Sequence, residues 1–148
     1  MKKQQPTSGA AFPPVSVYDF HRDNHHWLSQ LRHWAGEEAF FQKLLDQNAL
    51  LALSEEDKIR LEQFQNHILY YQGEVLQALS HDIRQHEKSL KLLISGKAIA
   101  GSEFVSRQHA YLAEEVQGVR LQIMQKKREL FGFIKKLSAG FRQTAKPK

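Results

Sequence analysis

The chain has 148 residues, 41% of them hydrophobic and 25% charged, with no cysteine and a formal net charge of +5. That length can bury a continuous core as one domain without disulfides or a structural metal, and the lack of thiols excludes zinc-finger, thiol-redox and disulfide-scaffold classes. The charge is uneven, because Arg120 to Lys148 holds nine Lys or Arg against Glu129 alone, a local +8 that leaves −3 for residues 1–119.

No apolar segment follows Lys2 and Lys3 as in a secretory leader, and no apolar run approaches the ~20 residues of a membrane span. A cytoplasmic protein without a membrane partner is expected. Residues 1–22 contain three of the four prolines and no helical period, although Phe12, Val15, Val17, Tyr18 and Phe20 make their second half apolar. They read as an extended N-terminal arm.

A first helix is expected from Asp23 or Asn24, either of which can cap it, to about Asp46, with Trp27, Leu31, Trp34, Phe41 and Leu45 on one face. The slot between Trp34 and Phe41 is Glu38. Ser54 followed by Glu55, Glu56 and Asp57 is a helix start, with acids suited to the positive end of the dipole. Leu61, Phe64, Ile68, Val75, Leu79, Ile83, Leu90 and Leu93 then sustain a 3-4 spacing to Ser95 and Gly96, a helix of about forty residues or roughly 60 Å. Its stripe passes through Gln72 and His86, and Gly73 is its internal weak point.

Gly96 to Gly101 reads as a tight connection. Ser102 caps a third helix with Val105, Leu112, Val116, Val119, Ile123, Leu130, Ile134 and Leu137 on its face and His109 in the slot between the first two. Residues 138–148 read as a flexible basic tail, so the bundle domain spans 23–137. The fold class is all-α, an elongated antiparallel bundle in which a long helical hairpin is half covered by a shorter first helix.

Counting residues away from each turn places the three ionisable intruders. His86 and His109 fall within roughly 5 Å of one height, whereas Glu38 lies more than 25 Å away, level with Phe64 and Ile134. The half-covered hairpin leaves Leu79, Ile83, Leu90, Leu93, Val105 and Leu112 without a partner, which the arm or a second protomer would bury. Homodimerisation, four-helix-like across a two-fold axis, is therefore expected.

Facing imidazoles at His86 and His109 are candidate ligands for a transition metal or haem iron, or a switch that opens on protonation. The plainer alternative is a pair of core histidines satisfied by hydrogen bonds. Glu38 is read as a structural core carboxylate paired with His67 or reached by Lys127. His21, His25 and His26, level with His81, read as solvated, with a surface metal site as the alternative. Di-iron carboxylate bundles need Glu-x-x-His on two helices, and the sequence has none.

Lys126, Lys127, Arg128, Lys135 and Lys136 form a patch for an anionic partner, but acids of the second helix run beside it and nucleic acid is not the expected ligand. The leading functional reading is a non-enzymatic interaction or scaffold protein without a cofactor, binding itself or another helical protein. The competing reading is a metal- or haem-binding bundle.

Overall fold

In a computed structural model, residues 15–96 and 101–145 are described, with side chains for 17–96 and 101–140. The fold is all-α: α1 (Val15–Asn48), a 3-10 turn (Ala49–Leu51), α2 (Glu55–Tyr70), a π-helical turn (Tyr71–Val75), α3 (Leu76–Ile94) and α4 (Ser102–Ala145). Among the described residues there is no strand, and no helix is long and apolar enough to cross a membrane. The chain divides into two compact units, one made of α1 up to Leu31 with Ala78–Gly118, the other of Arg32–Gln77 with the chain from Val119 onward.

In the first unit, α1 begins at Val15 rather than at the expected cap near Asp23. Residues 15–22 are therefore helix and not extended arm; the rest of that arm, residues 1–14, lies outside the described residues. The reason is in the spacing: Phe20, Asn24, Trp27 and Leu31 follow at 4, 3 and 4, so the stripe continues through Asn24, which occupies a core slot instead of a cap. The last proline before the helix, Pro14, precedes its first residue and breaks nothing. This half of α1 packs where the hairpin was expected to lie bare. Leu79, Ile83, Leu90, Val105 and Leu112 are all buried within one chain, so the premise for a homodimer that would cover them no longer holds.

The second unit is centred on Phe41, Leu45, Ala52, Phe64, Ile68, Leu130, Phe133 and Leu137. The Ser54 hydroxyl accepts from the Asp57 N–H at 3.0 Å and starts α2 as its sequence requires. The buried positions then run Phe64, Ile68, Tyr71 and Leu76, so Tyr71 and Leu76 take the slots expected for Gln72 and Val75. The step of five from Tyr71 to Leu76 is what a π turn supplies, because one extra residue is looped into the wall of the helix. Gly73, in the middle of that turn, is where the helix tolerates the widening.

Gly96 ends α3 with φ of 77°, a left-handed conformation that glycine adopts without a Cβ clash, while its N–H caps the Leu93 carbonyl at 3.2 Å. At the other end α4 continues to Ala145, so the expected flexible tail from residue 138 is helical over its first eight residues, and 146–148 lie outside the described residues. Gly140 alone costs a helix only about 1 kcal/mol, too little to stop it.

Leu45 is wholly buried and Leu50 is 90% exposed, five residues further on. Leu45→Ala is expected to lower the unfolding free energy by about 2–5 kcal/mol, and Leu50→Ala by less than about 0.5 kcal/mol. Urea unfolding followed by far-ultraviolet circular dichroism measures both; equal effects would contradict the placement of the core.

Candidate functional site

The first unit holds a buried hydrogen-bonded chain. His86 Nε2 lies 2.9 Å from His109 Nδ1, His109 Nε2 lies 3.0 Å from Asp23 Oδ2, and His86 Nδ1 lies 3.1 Å from Gln108 Oε1. The expected facing of His86 and His109 is thus observed, and α1 adds Asp23 to it. His109 also stacks on Phe20 (ring centroids 3.8 Å apart) and on Trp27 (4.6 Å), which sit one turn either side of Asp23–Asn24 on α1.

Burial holds both imidazoles below their ordinary pKa of 6.5, although the Gln108 oxygen facing His86 and the Asp23 carboxylate accepting from His109 oppose it. Two neutral rings carry two N–H groups. His109 Nε2 donates one to the Asp23 carboxylate, and His86 Nε2 donates the other to His109 Nδ1. His86 Nδ1 is then an acceptor, which two neutral rings match only if the Gln108 amide, whose oxygen lies 3.1 Å away, is turned to present its NH2 group. A third proton makes one ring an imidazolium and turns the Gln108 oxygen inward. All four nitrogens are therefore occupied by protein partners, and nitrogens 2.9 Å apart leave no room for a porphyrin between them.

A second cluster lies on the other side of Asn24. His21 and His25 are one turn apart on α1, and Glu87 comes from α3; their ligating atoms all lie within 4.8 Å of one another. His21 Nδ1 hydrogen-bonds Glu87 Oε2, and His25 Nε2 is 3.8 Å from the same oxygen. The other oxygen, Glu87 Oε1, accepts from Asn24 Nδ2 at 2.8 Å. Asn24 is fully buried and Glu87 is 8% exposed, so the carboxylate is fixed from behind and offers Oε2 to the histidines. Among the described residues this is the group of three His, Cys, Asp or Glu side chains that converges as metal ligands do, and neither His86 nor His109 belongs to it.

The residues expected in the second unit are arranged differently. Glu38 is 2% exposed, and its Oε1 has no hydrogen-bond partner; His67 Nε2 has none either, so the expected Glu38–His67 pair is not formed. Lys127 reaches Glu37 at 2.9 Å instead of Glu38, because a lysine keeps its ammonium at the water's edge and Glu37 is the half-buried one of the two. Glu38 lies beside Tyr71, about two turns from the expected level of Phe64. Ala49–Leu51 and the buried Ala52 prolong the packed surface of the first helix before the chain reverses. Desolvation, with Glu37 adding to it, raises the Glu38 pKa from 4.5 to about 7. Burial, chiefly, lowers that of His67, whose ring packs on Tyr71 with centroids 4.3 Å apart.

The basic patch is largely matched by acids: Lys126 meets Glu129 at 3.5 Å and Lys136 meets Asp57 at 3.3 Å, whereas Arg128 and Lys135 are exposed. Sequence reasoning took Asp23 and Asn24 for helix caps and Glu87 for a possible partner of the core histidines, not of His21 and His25. The spacing His21-x-x-x-His25 was the available indication. In an extended arm it separates the rings by about 13 Å; on a helix it brings them to about 6 Å.

These groups give stability opposite pH dependences. Glu38 keeps its proton in the folded chain between about 4.5 and 7, so its contribution is complete below pH 4.5 and lost as pH rises through 7. His86 and His109, depressed when folded, contribute fully above about 6.5 and lose this as pH falls, since the unfolded chain then takes up more protons. Glu38→Gln is therefore expected to gain stability relative to wild type by up to about 3 kcal/mol between pH 4.5 and 8. His86→Gln with His109→Gln should remove the loss between pH 7.5 and 5.5. Urea unfolding across that range tests both, and variant curves parallel to wild type would refute the assignments.

No family model, curated protein or solved structure matches the chain, so its functional reading rests on this geometry.

Proposed function

We propose that this protein is a metal-binding helical protein that holds a divalent transition ion, zinc before others, at His21, His25 and Glu87. The observation that carries the reading is the convergence of two imidazoles and a carboxylate on one point, with all ligating atoms within 4.8 Å. Zinc bonds of about 2.0–2.1 Å in a tetrahedral set place ligand atoms on the order of 3.3 Å apart, so seating the ion draws His25 in from 3.8 Å and opens the His21–Glu87 contact. The ion takes the place of the hydrogen now shared by His21 Nδ1 and Glu87 Oε2, and the His21 proton moves to Nε2.

Three features support this reading over a chance cluster. The histidines share one helical face at i and i+4, so the helix itself presets their separation. Asn24 holds the carboxylate from behind, the outer-shell contact that metal-ligating carboxylates use. Two histidines and a carboxylate also form the donor set of zinc sites that keep an open fourth position.

Protein prepared without a histidine tag is expected to bind one zinc per chain by calorimetry and to gain thermal stability from it. Single His21→Ala, His25→Ala and Glu87→Ala changes should abolish stoichiometric binding. Asn24→Ala should weaken it by about 10–100-fold, and His109→Gln should leave the stoichiometry at one. Zinc uptake that survives all three ligand changes would sink the assignment.

A further inference from the structure

The proposed metal site adjoins a hollow of about 240 Å³ that Asn24, His25, Leu28 and Glu87 line together with Arg84, Lys88 and Lys91. Arg84, Lys88 and Lys91 repeat at 4 and 3 along α3 and so share the face that carries the hollow. All three are exposed, and among the described residues none of their side chains makes an ion pair or hydrogen bond. Some other cations of this chain are matched, as Lys127 is by Glu37 and Lys136 by Asp57, while others such as Arg128 and Lys135 are not. What sets Arg84, Lys88 and Lys91 apart is that all three line one hollow.

Resting on the metal reading above, we infer that the hollow receives a small organic carboxylate, which completes the coordination of the ion. A divalent metal cancels the single charge of Glu87 and leaves a net positive centre. Arg84, Lys88 and Lys91 add three more positive charges at its rim, so an anion is the ligand that this field concentrates. A three-ligand site with an open position accepts an anionic oxygen in place of water. The side chain of Leu28 and the methylene stems of Arg84, Lys88 and Lys91 give the hollow apolar walls, which suit the hydrocarbon body of a carboxylate and offer a phosphate nothing. At about 30 Å³ for each water in the liquid, the volume equals roughly eight waters, room for an acid of a few carbons. Asn24, whose buried Oδ1 has no donor, is one of the residues lining this space.

The test uses the full chain loaded with cobalt(II), whose visible absorption reports its ligands. Butyrate is expected to change the cobalt spectrum saturably, whereas butanol, of the same shape without charge, leaves it unchanged. The variant Arg84→Gln, Lys88→Gln, Lys91→Gln should weaken butyrate binding at least tenfold while still taking up one cobalt per chain. A spectrum that answers to inorganic phosphate and not to butyrate overturns the inference, as does a triple variant that binds butyrate like wild type. A cobalt band that no anion alters sinks the inference alone. Absence of any cobalt band removes the metal reading, and this inference with it.

Discussion

A carboxylate taken out of water has to be met by donors or give up its charge, and Glu87 is the residue on which that rule shapes this protein. Its side chain sits between α3 and α1, and α1 answers with Asn24 in a core slot and His21 and His25 on either side. These three residues fix the rotation of the N-terminal half of α1 on α3, because turning the helix by one position would leave both Glu87 oxygens unmet. The same rotation carries Asp23 to His109 and lays Phe20 and Trp27 against the imidazole. Apolar packing alone would tolerate sliding; the polar contacts select one register.

Glu38 shows the other outcome of the same rule. It is more buried than Glu87, yet its Oε1 has no partner, and nearby Lys127 serves Glu37. The carboxyl instead holds its proton up to about pH 7. One glutamate is thus kept as an acceptor by donors from a neighbouring helix, and the other is kept close to neutral by their absence. The difference is why the proposed cation site is built on Glu87 and not on Glu38.

The periodicity of the sequence carried the fold class, the Ser54 cap, the stop at Gly96 and the facing of His86 with His109, since each depends on spacing or on one turn. It misplaced the start of α1 because Asp23 and Asn24 are good capping residues, and a polar core slot looks the same in sequence as a cap. That single misreading left the His21 and His25 pair as a mere surface alternative, without Glu87, and the upper hairpin bare. Tyr71 and Leu76 were missed for a different reason. A π turn advances the stripe by five, and a strict 3-4 template reads through it to Gln72 and Val75. The level of Glu38 failed because residue counting assumed a reversal directly after the first helix, whereas Ala52 still packs in the core.

His86 and Glu87 are neighbours in sequence that serve two different networks, which follows from the 100° step between successive helical residues. His86 turns to α4 and meets His109; Glu87 turns to α1 and meets His21 and Asn24. Asp23 and Asn24 divide in the same way on the opposite helix, the first toward His109 and the second toward Glu87. The two networks are therefore joined through two adjacent pairs of backbone positions and share no hydrogen bond among those described. An ion drawn to Glu87 would pull on α3 and α1 at the residues that carry His86 and Asp23. Rearranging these ligands around an ion would be felt in the buried histidine chain through the helices themselves, without any side chain passing between the two.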